Sequence, residues 1–332
     1  MPPAVSAFSR DESIARAAER VDVNMVRAEP GATRFEDLLE RLSTDAAWLD
    51  KQIRTGGVLL LRGFDVDTLE KFSELVSAFS GGGLRQYQGG ASPRTAMVGG
   101  ARPIYSSTDY PPECELPLHN ELSYSDDYPS RIYFMCLTEP KEGGETTLGD
   151  SRRILKGMPS PVRAAFEQKG LRYIRHLWPG AGSGYSWQDV FGSDDQTEVE
   201  RRCAAMNAQF EWLPSDVLRI VQERPAIAVH PDTGEEIWFN QADGFHPSGL
   251  DPALYREFLQ LFGSEDRFRL NVTLGDGSAI SADMLLQVRA VIRRETQPHA
   301  WRKGDVLVLD NLLTAHGRRP FRGARRIVTA MS

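Results

Sequence analysis

The chain has 332 residues, 39 Lys+Arg against 46 Asp+Glu, a formal net charge of −7 and 41% hydrophobic residues. This is the balance of a globular protein with a core large enough to stand alone, and it lacks the basic face that nucleic-acid binding needs. The longest apolar runs fall far short of a membrane span, and three cysteines without CxxC spacing make a disulfide framework or a zinc ribbon a poor reading.

The N-terminus, Met-Pro-Pro-Ala-Val-Ser, has no charged region leading into an apolar stretch, so no signal peptide is expected, and a reducing cytoplasm is the simplest setting. Residues 1–33 read as a polar, irregular extension with a weak amphipathic piece over 13–21. Apolar spacing predicts helices over 35–42 and 46–53. Thr55-Gly56-Gly57 breaks the pattern ahead of a short buried strand, 58–61. Helical period returns over 68–79 with Thr68 as its N-cap. Residues 80–83 and 89–94 read as Gly/Ser-rich loops.

The middle of the chain opens with 104–110 and the turn at Pro111-Pro112. Residues 131–138 read as a strand apolar on both faces and therefore buried, with Cys136 a buried thiol. A short strand follows at 146–148, helices at 151–158 and 161–169, and a strand at 170–177. Residues 181–210 are polar and mixed, an expected insertion over the core. A short helix is expected at 214–223. Strands 226–230 and 236–240 form a hairpin around Pro231-Asp232-Thr233-Gly234. Helices are expected at 252–262 and 282–294, the second capped by Ser281. A strand at 306–309 and a closing strand at 325–331 end the chain, with the one basic cluster at 318–326. Short strands with helices outside fit a β-sandwich or barrel core. Neither GxGxxG after the first strand nor GxxxxGK[ST] occurs, which argues against dinucleotide and P-loop binding.

One constellation carries chemistry. His119 and Glu121 are two residues apart, and on an extended segment such side chains share a side. Alone, HxE is a weak signal. The third member is His316, in a turn beside Gly317 just after the strand ending at Asp310-Asn311. Two histidines and one carboxylate leave open positions on a ferrous ion, the facial triad of non-haem iron oxygenases. An all-oxygen Mg²⁺ or Ca²⁺ site would use more carboxylates.

The sequence resembles the TauD/TfdA superfamily of Fe(II)/2-oxoglutarate oxygenases, and within it the branch that oxidises amino acids in natural-product pathways, syringomycin-type hydroxylases included. The resemblance rests on segments 55–64, 116–124, Gly143-Gly144-Glu145-Thr146-Thr147, 230–235 with Trp238-Phe239-Asn240, and Asp310-Asn311 through His316-Gly317-Arg318 to Phe321 and Arg325, in family order over roughly 55–332.

The resemblance implies a single domain over 1–332, an α+β fold with a mainly β core, and a double-stranded β-helix (jelly roll) flanked by helices. It implies Fe(II) on His119, Glu121 and His316, with 2-oxoglutarate as cosubstrate and O₂ as oxidant. It assigns Thr146 and an arginine to the distal carboxylate of 2-oxoglutarate. A guanidinium fork grips a carboxylate in two places. Arg325 and Arg326 are neighbours on one strand and face opposite ways; Arg325 is preferred. In taurine dioxygenase an arginine lies about four residues further on, where this chain has Thr329 or Ala330. Glu121 implies hydroxylation or another oxygen-derived outcome, because family halogenases lack that carboxylate.

The substrate implied is amino-acid-like, free or presented by a carrier protein, with no nucleic-acid or membrane partner. Arg94, Tyr105, Ser123, Asn240 and His246 are the expected substrate contacts, on loops around the site. His176, His230 and His299 are taken as structural, and Ser107 and Thr108 as ordinary loop hydroxyls. Rival readings are desaturation, epoxidation or cyclisation with the same cofactors, a non-redox metal-binding β-barrel, and a non-catalytic scaffold.

Overall fold

The computed structural model describes residues 21–87, 89–92, 94–97, 103–182 and 185–332. Most of the N-terminal extension, including 13–20 of the amphipathic piece, lies outside these, as does Pro93 of the loop at 89–94. The chain mixes helix and sheet. A six-stranded sheet runs in the order Asn24–Arg27, Val58–Arg62, Val306–Asp310, Arg131–Thr138, Arg326–Met331 and Tyr105–Ser106. A four-stranded sheet runs Gln297–His299, Thr146–Asp150, Thr314–Arg318 and Leu116–His119.

The central strands are continuously apolar because both of their faces are covered. Val58 and Leu60 pack with Phe134, Leu307, Leu309 and, from the second sheet, Leu148. Their alternates Leu59 and Leu61 pack with Tyr133, Val306 and Val308 against Leu38, Ile53 and Phe72 of the helices Phe35–Thr44, Ala46–Gly56 and Leu69–Ser80. One face thus meets the helices and the other meets the four-stranded sheet. The expected caps are present: Thr68 Oγ1 accepts from the Lys71 amide at 3.2 Å, and Ser281 Oγ from that of Met284 at 3.2 Å.

Several expectations need correction. The stretch before residue 33 contains a strand, Asn24–Arg27, parallel to Val58–Arg62. The segment 214–223 is not a helix. A 3₁₀ turn at Pro214–Asp216 leads into the strand Val217–Arg224, paired on both sides. Val217, Ile220 and Val221 suit a pleated, half-buried surface, and the neighbours that select it are distant in sequence. This strand belongs to a third sheet, ordered Leu270–Leu274, Leu171–Leu177, Val217–Arg224 and Gln209–Leu213. Within the expected insertion, Trp187–Phe191 and Gln196–Ala205 are helical, and they form a small core with the edge of that sheet around Trp187, Phe191, Val199 and Leu218. The strands Leu270–Leu274 and Gln297–His299 were not anticipated.

Candidate metal centre and its two cavities

The two histidines meet through strand register. His316 lies in the strand Thr314–Arg318, where a turn had been expected, and its direct antiparallel partner is His119. The chain reverses just before it: Asp310 Oδ1 accepts from the amides of Leu312 and Leu313 at 2.9 and 3.0 Å, turning the strand Val306–Asp310 into the next sheet. Directly opposed residues are the closest cross-strand neighbours, and the two imidazole centroids are 4.5 Å apart. Phe134, from the facing sheet, packs edge-on to His316 at 5.3 Å.

Glu121 reaches the same point by a different route from strand alternation. His119 is the last residue of its strand, and the chain then turns, with Leu122 held at φ 55°. A non-glycine residue in that region is strained by about 1–3 kcal/mol and persists only where its surroundings impose it. Here the imposing group is Asn311. Its side chain accepts from the Glu121 amide at 2.7 Å and donates to the Glu121 carbonyl at 3.0 Å.

Nε2 of His119 and of His316 lie 4.0 and 3.9 Å from Glu121 Oε2, beyond hydrogen-bonding range. Ligand atoms of the three residues all lie within 4.8 Å of one another, the one such His/Cys/Asp/Glu cluster among the described residues. His119 Nδ1 donates to the Pro117 carbonyl at 2.9 Å, which leaves Nε2 with its lone pair toward the centre. Burial lowers the pKa of His119, against the pull of Glu121, and lowers that of His316 further, helped by His119 and Arg94. Both rings are therefore kept neutral, the form that ligates a metal. Neutral imidazoles and a buried carboxylate around a common point without hydrogen bonds between them fit a first-row divalent ion. The Arg94 guanidinium contacts Glu121 Oε2 and lies 4.9 Å over the Tyr87 ring.

Two cavities share His119. The narrower lies between the two facing sheets and is lined by Phe134, Thr146, His316 and Arg325, with Ser107 and Thr108. The Trp301 indole donates to Thr146 Oγ1 at 3.0 Å, so the threonine hydrogen remains free to donate into the cleft. Arg325 donates to the Gly144 carbonyl at 2.9 Å and to Ser107 Oγ at 3.3 Å, and it has no carboxylate partner among the described residues. Burial, with Arg318 nearby, pushes its pKa down to about 10. Gly144 must be small: a Cβ there would stand 3.0 Å from Arg325, Phe321 and Pro140 side-chain atoms, at φ +71°. Arg326 begins the closing strand, exposed and outside the lining; Arg325 precedes that strand. Ser107, taken as an ordinary loop hydroxyl, supports Arg325.

The larger cavity, about 350 Å³, shares Leu116 and His119 with the narrower one and is lined by Tyr110, Gln241, Phe245, His246 and Arg269 among others. Of the expected substrate contacts, only His246 lines it. Arg94 is committed to Glu121 and the Ser107 carbonyl. The Tyr105 hydroxyl accepts from the Tyr87 amide at 3.0 Å. Ser123 is buried outside both linings. Asn240 spends its amide on the backbone, donating to Ala226 O at 2.8 Å and accepting from the Ala242 amide at 3.1 Å. The neighbouring Gln241 lines the cavity instead. Arg269 was missed: it stands alone, with no motif about it. As expected, His176 and His230 are structural, bound to Phe268 O at 2.9 Å and Asp310 at 3.2 Å.

The family pattern described as "Taurine catabolism dioxygenase TauD, TfdA family" matches residues 23–331. The dapdiamide synthesis protein DdaC of Enterobacter agglomerans is 33% identical over 283 residues, 85% of this chain and 84% of that one. A clavaminate synthase-like protein of Arabidopsis thaliana is 30% identical over 305 residues, 88% and 86% of the two chains. Among solved structures, PvcB of Pseudomonas aeruginosa superimposes with TM-score 0.54 at 16% identity, covering 94% of this chain and 86% of that one. AAD-2, in complex with Mn(II) and N-oxalylglycine, does so with TM-score 0.54 at 13% identity and 95% of both chains.

Proposed function

The chain belongs to the TauD, TfdA dioxygenase family, and from that premise we propose that it hydroxylates a C–H bond of a small amino-acid-derived substrate. It is a 2-oxoglutarate-dependent dioxygenase using Fe(II), 2-oxoglutarate and O₂. The observation that carries the reading is His119 standing at the junction of two cavities, one lined by the half-buried Arg325, which has no carboxylate partner among the described residues, and one roomy enough for a small organic molecule. In this reading residues 23–331 form one domain, and the four- and six-stranded sheets are the two halves of a double-stranded β-helix.

His119, Glu121 and His316 would hold the iron, and Arg325 with the free hydrogen of Thr146 would take the distal carboxylate of 2-oxoglutarate. When bound, the iron and cosubstrate couple decarboxylation of the keto acid to oxidation of substrate. The protein's part is placement. Arg325, half-buried and without a counter-ion among the described residues, is stabilised by an arriving carboxylate. The two sheets shield that ion pair from water, and His119 sets the border beyond which substrate lies. The 33% identity to a dapdiamide synthesis protein supports a place in natural-product biosynthesis.

The test is succinate release from anaerobically reconstituted protein on admission of O₂, screened over amino acids and their derivatives. A hydroxylated product is expected, and Glu121→Ala should abolish it. A desaturated, epoxidised or cyclised product from the wild type would overturn the hydroxylase reading.

A further inference from the structure

Arg269 is the unexplained charge of the larger cavity. It lies just ahead of the strand Leu270–Leu274 and lines the same cavity as His119. Its one side-chain hydrogen bond among the described residues goes to the Ala91 carbonyl at 3.0 Å, and the guanidinium lies 4.5 Å from the Tyr185 ring centroid. No carboxylate pairs with it among the described residues. The acidic side chains that share the lining do not serve: Asp243 is tied to Arg289, and Glu115 is exposed at the rim. Burial lowers the Arg269 pKa, and nearby Arg175, also without a carboxylate partner among the described residues, lowers it further against the opposing effect of Tyr185. A partly desolvated cation facing an otherwise mostly neutral cavity is costly until an anion arrives. Phe245, Phe258 and Leu270 line the remainder.

We propose that Arg269 anchors a carboxylate of the substrate, so that this enzyme acts on carboxylate-bearing molecules with an uncharged or apolar body, held with the anion at Arg269 and the reacting carbon toward His119. The inference rests on the oxygenase reading and narrows its substrate class. It separates the two anion sites by cavity: Arg325 serves the cosubstrate between the sheets, and Arg269 serves the substrate in the larger cavity. A guanidinium suits this task because its planar fork meets both oxygens of a carboxylate. It also disfavours substrates whose carboxyl is capped as an amide, because the cation would then stay unpaired.

The experiment uses the Fe(II)- and 2-oxoglutarate-loaded enzyme. Free and N-acetylated L-amino acids are each compared with their primary carboxamides for stimulation of succinate release. Carboxylates should stimulate and their carboxamides should not. Arg269→Gln should raise KM for the best carboxylate by roughly 30-fold or more, the range for removing one partner of a buried charge pair, with kcat little changed. Arg269→Lys should recover part of that loss. In both variants the visible band of the Fe(II)·2-oxoglutarate complex should form at the wild-type cosubstrate concentration, which a collapsed site would not allow. Equal stimulation by carboxamides, or an unchanged KM in Arg269→Gln, overturns the anchor alone. A wild type that releases no succinate under any condition overturns the oxygenase reading and the anchor with it.

Discussion

The side chain of Asn311 clasps Glu121 by both backbone groups, accepting from its amide at 2.7 Å and donating to its carbonyl at 3.0 Å. A second donation, to the Pro129 carbonyl at 2.8 Å, ties the same amide to a neighbouring loop. Asn311 is fully buried, so these bonds have no water to replace them. Asn311→Ala would leave three backbone groups unpaired, at about 1–3 kcal/mol each. The expected result is a loss of several kcal/mol in urea melts together with ~10–100-fold weaker Fe(II) binding. Iron affinity equal to wild type in a folded variant would show that the clasp does not place the carboxylate.

Removing a candidate ligand should do more. Glu121→Ala and His316→Ala should lower Fe(II) affinity and succinate release by at least the ~100-fold that loss of a supporting residue costs. Fe(II) titration followed by single-turnover succinate assay checks this. Full activity in either variant removes that residue from the centre.

The two neighbouring arginines should separate cleanly. Arg325→Met removes the half-buried cation that lines the cleft and should raise KM for 2-oxoglutarate by ~30-fold or more, about 2 kcal/mol or greater. Arg326→Met, at an exposed position, should leave that constant within ~2-fold, since exposed charges contribute little. The reverse ranking would exchange their roles.

Trp301→Phe deletes the donor that holds the Thr146 hydroxyl. With Thr146 Oγ1 no longer accepting from the indole, a rise in KM for 2-oxoglutarate of ~3–10-fold is expected, the scale of one neutral hydrogen bond. Thr146→Val should match or exceed it. If Thr146→Val leaves the KM unchanged, the threonine is only a strand residue.

Acid stability should report His299, which sits beside Trp301 and whose pKa is lowered to about 4 by burial, then by the nearby Arg62, against the opposing charge of Asp305. The unfolded chain takes up a proton below its ordinary value of about 6.5 while the folded chain resists until about 4. This contribution to stability is therefore intact above pH 6.5, falls between 6.5 and 4, and is lost below. Urea melts at pH 7 and pH 5 should differ by about 2 kcal/mol more for wild type than for His299→Gln. An identical pH dependence would mean that the imidazole titrates elsewhere.

Much of the fold is legible in the sequence. The strands at 58–62, 131–138 and 306–310 announce themselves because burial on both faces demands unbroken apolar runs, and Thr68 and Ser281 mark helix starts because an orphan amide needs a local acceptor. The strand Val217–Arg224 escaped because the residues that favour it lie on Leu171–Leu177 and Gln209–Leu213, one near and one some forty residues away. The short strands Asn24–Arg27 and Gln297–His299 escaped for the same reason, since pairing is not a local property.

The sequence by itself determined the residue types of the centre, His119, Glu121 and His316, and the family to which such a set points, because ligand chemistry is carried by side-chain identity. Only tertiary structure decided how they converge. His316 meets His119 as a cross-strand partner, Glu121 is turned inward by the clasp of Asn311, Arg325 enters the cleft while Arg326 stays outside, and Arg269 comes to face the large cavity. Each of these depends on which distant backbone lies opposite, and direction in space is set by register and packing across the chain, where no local pattern can record it.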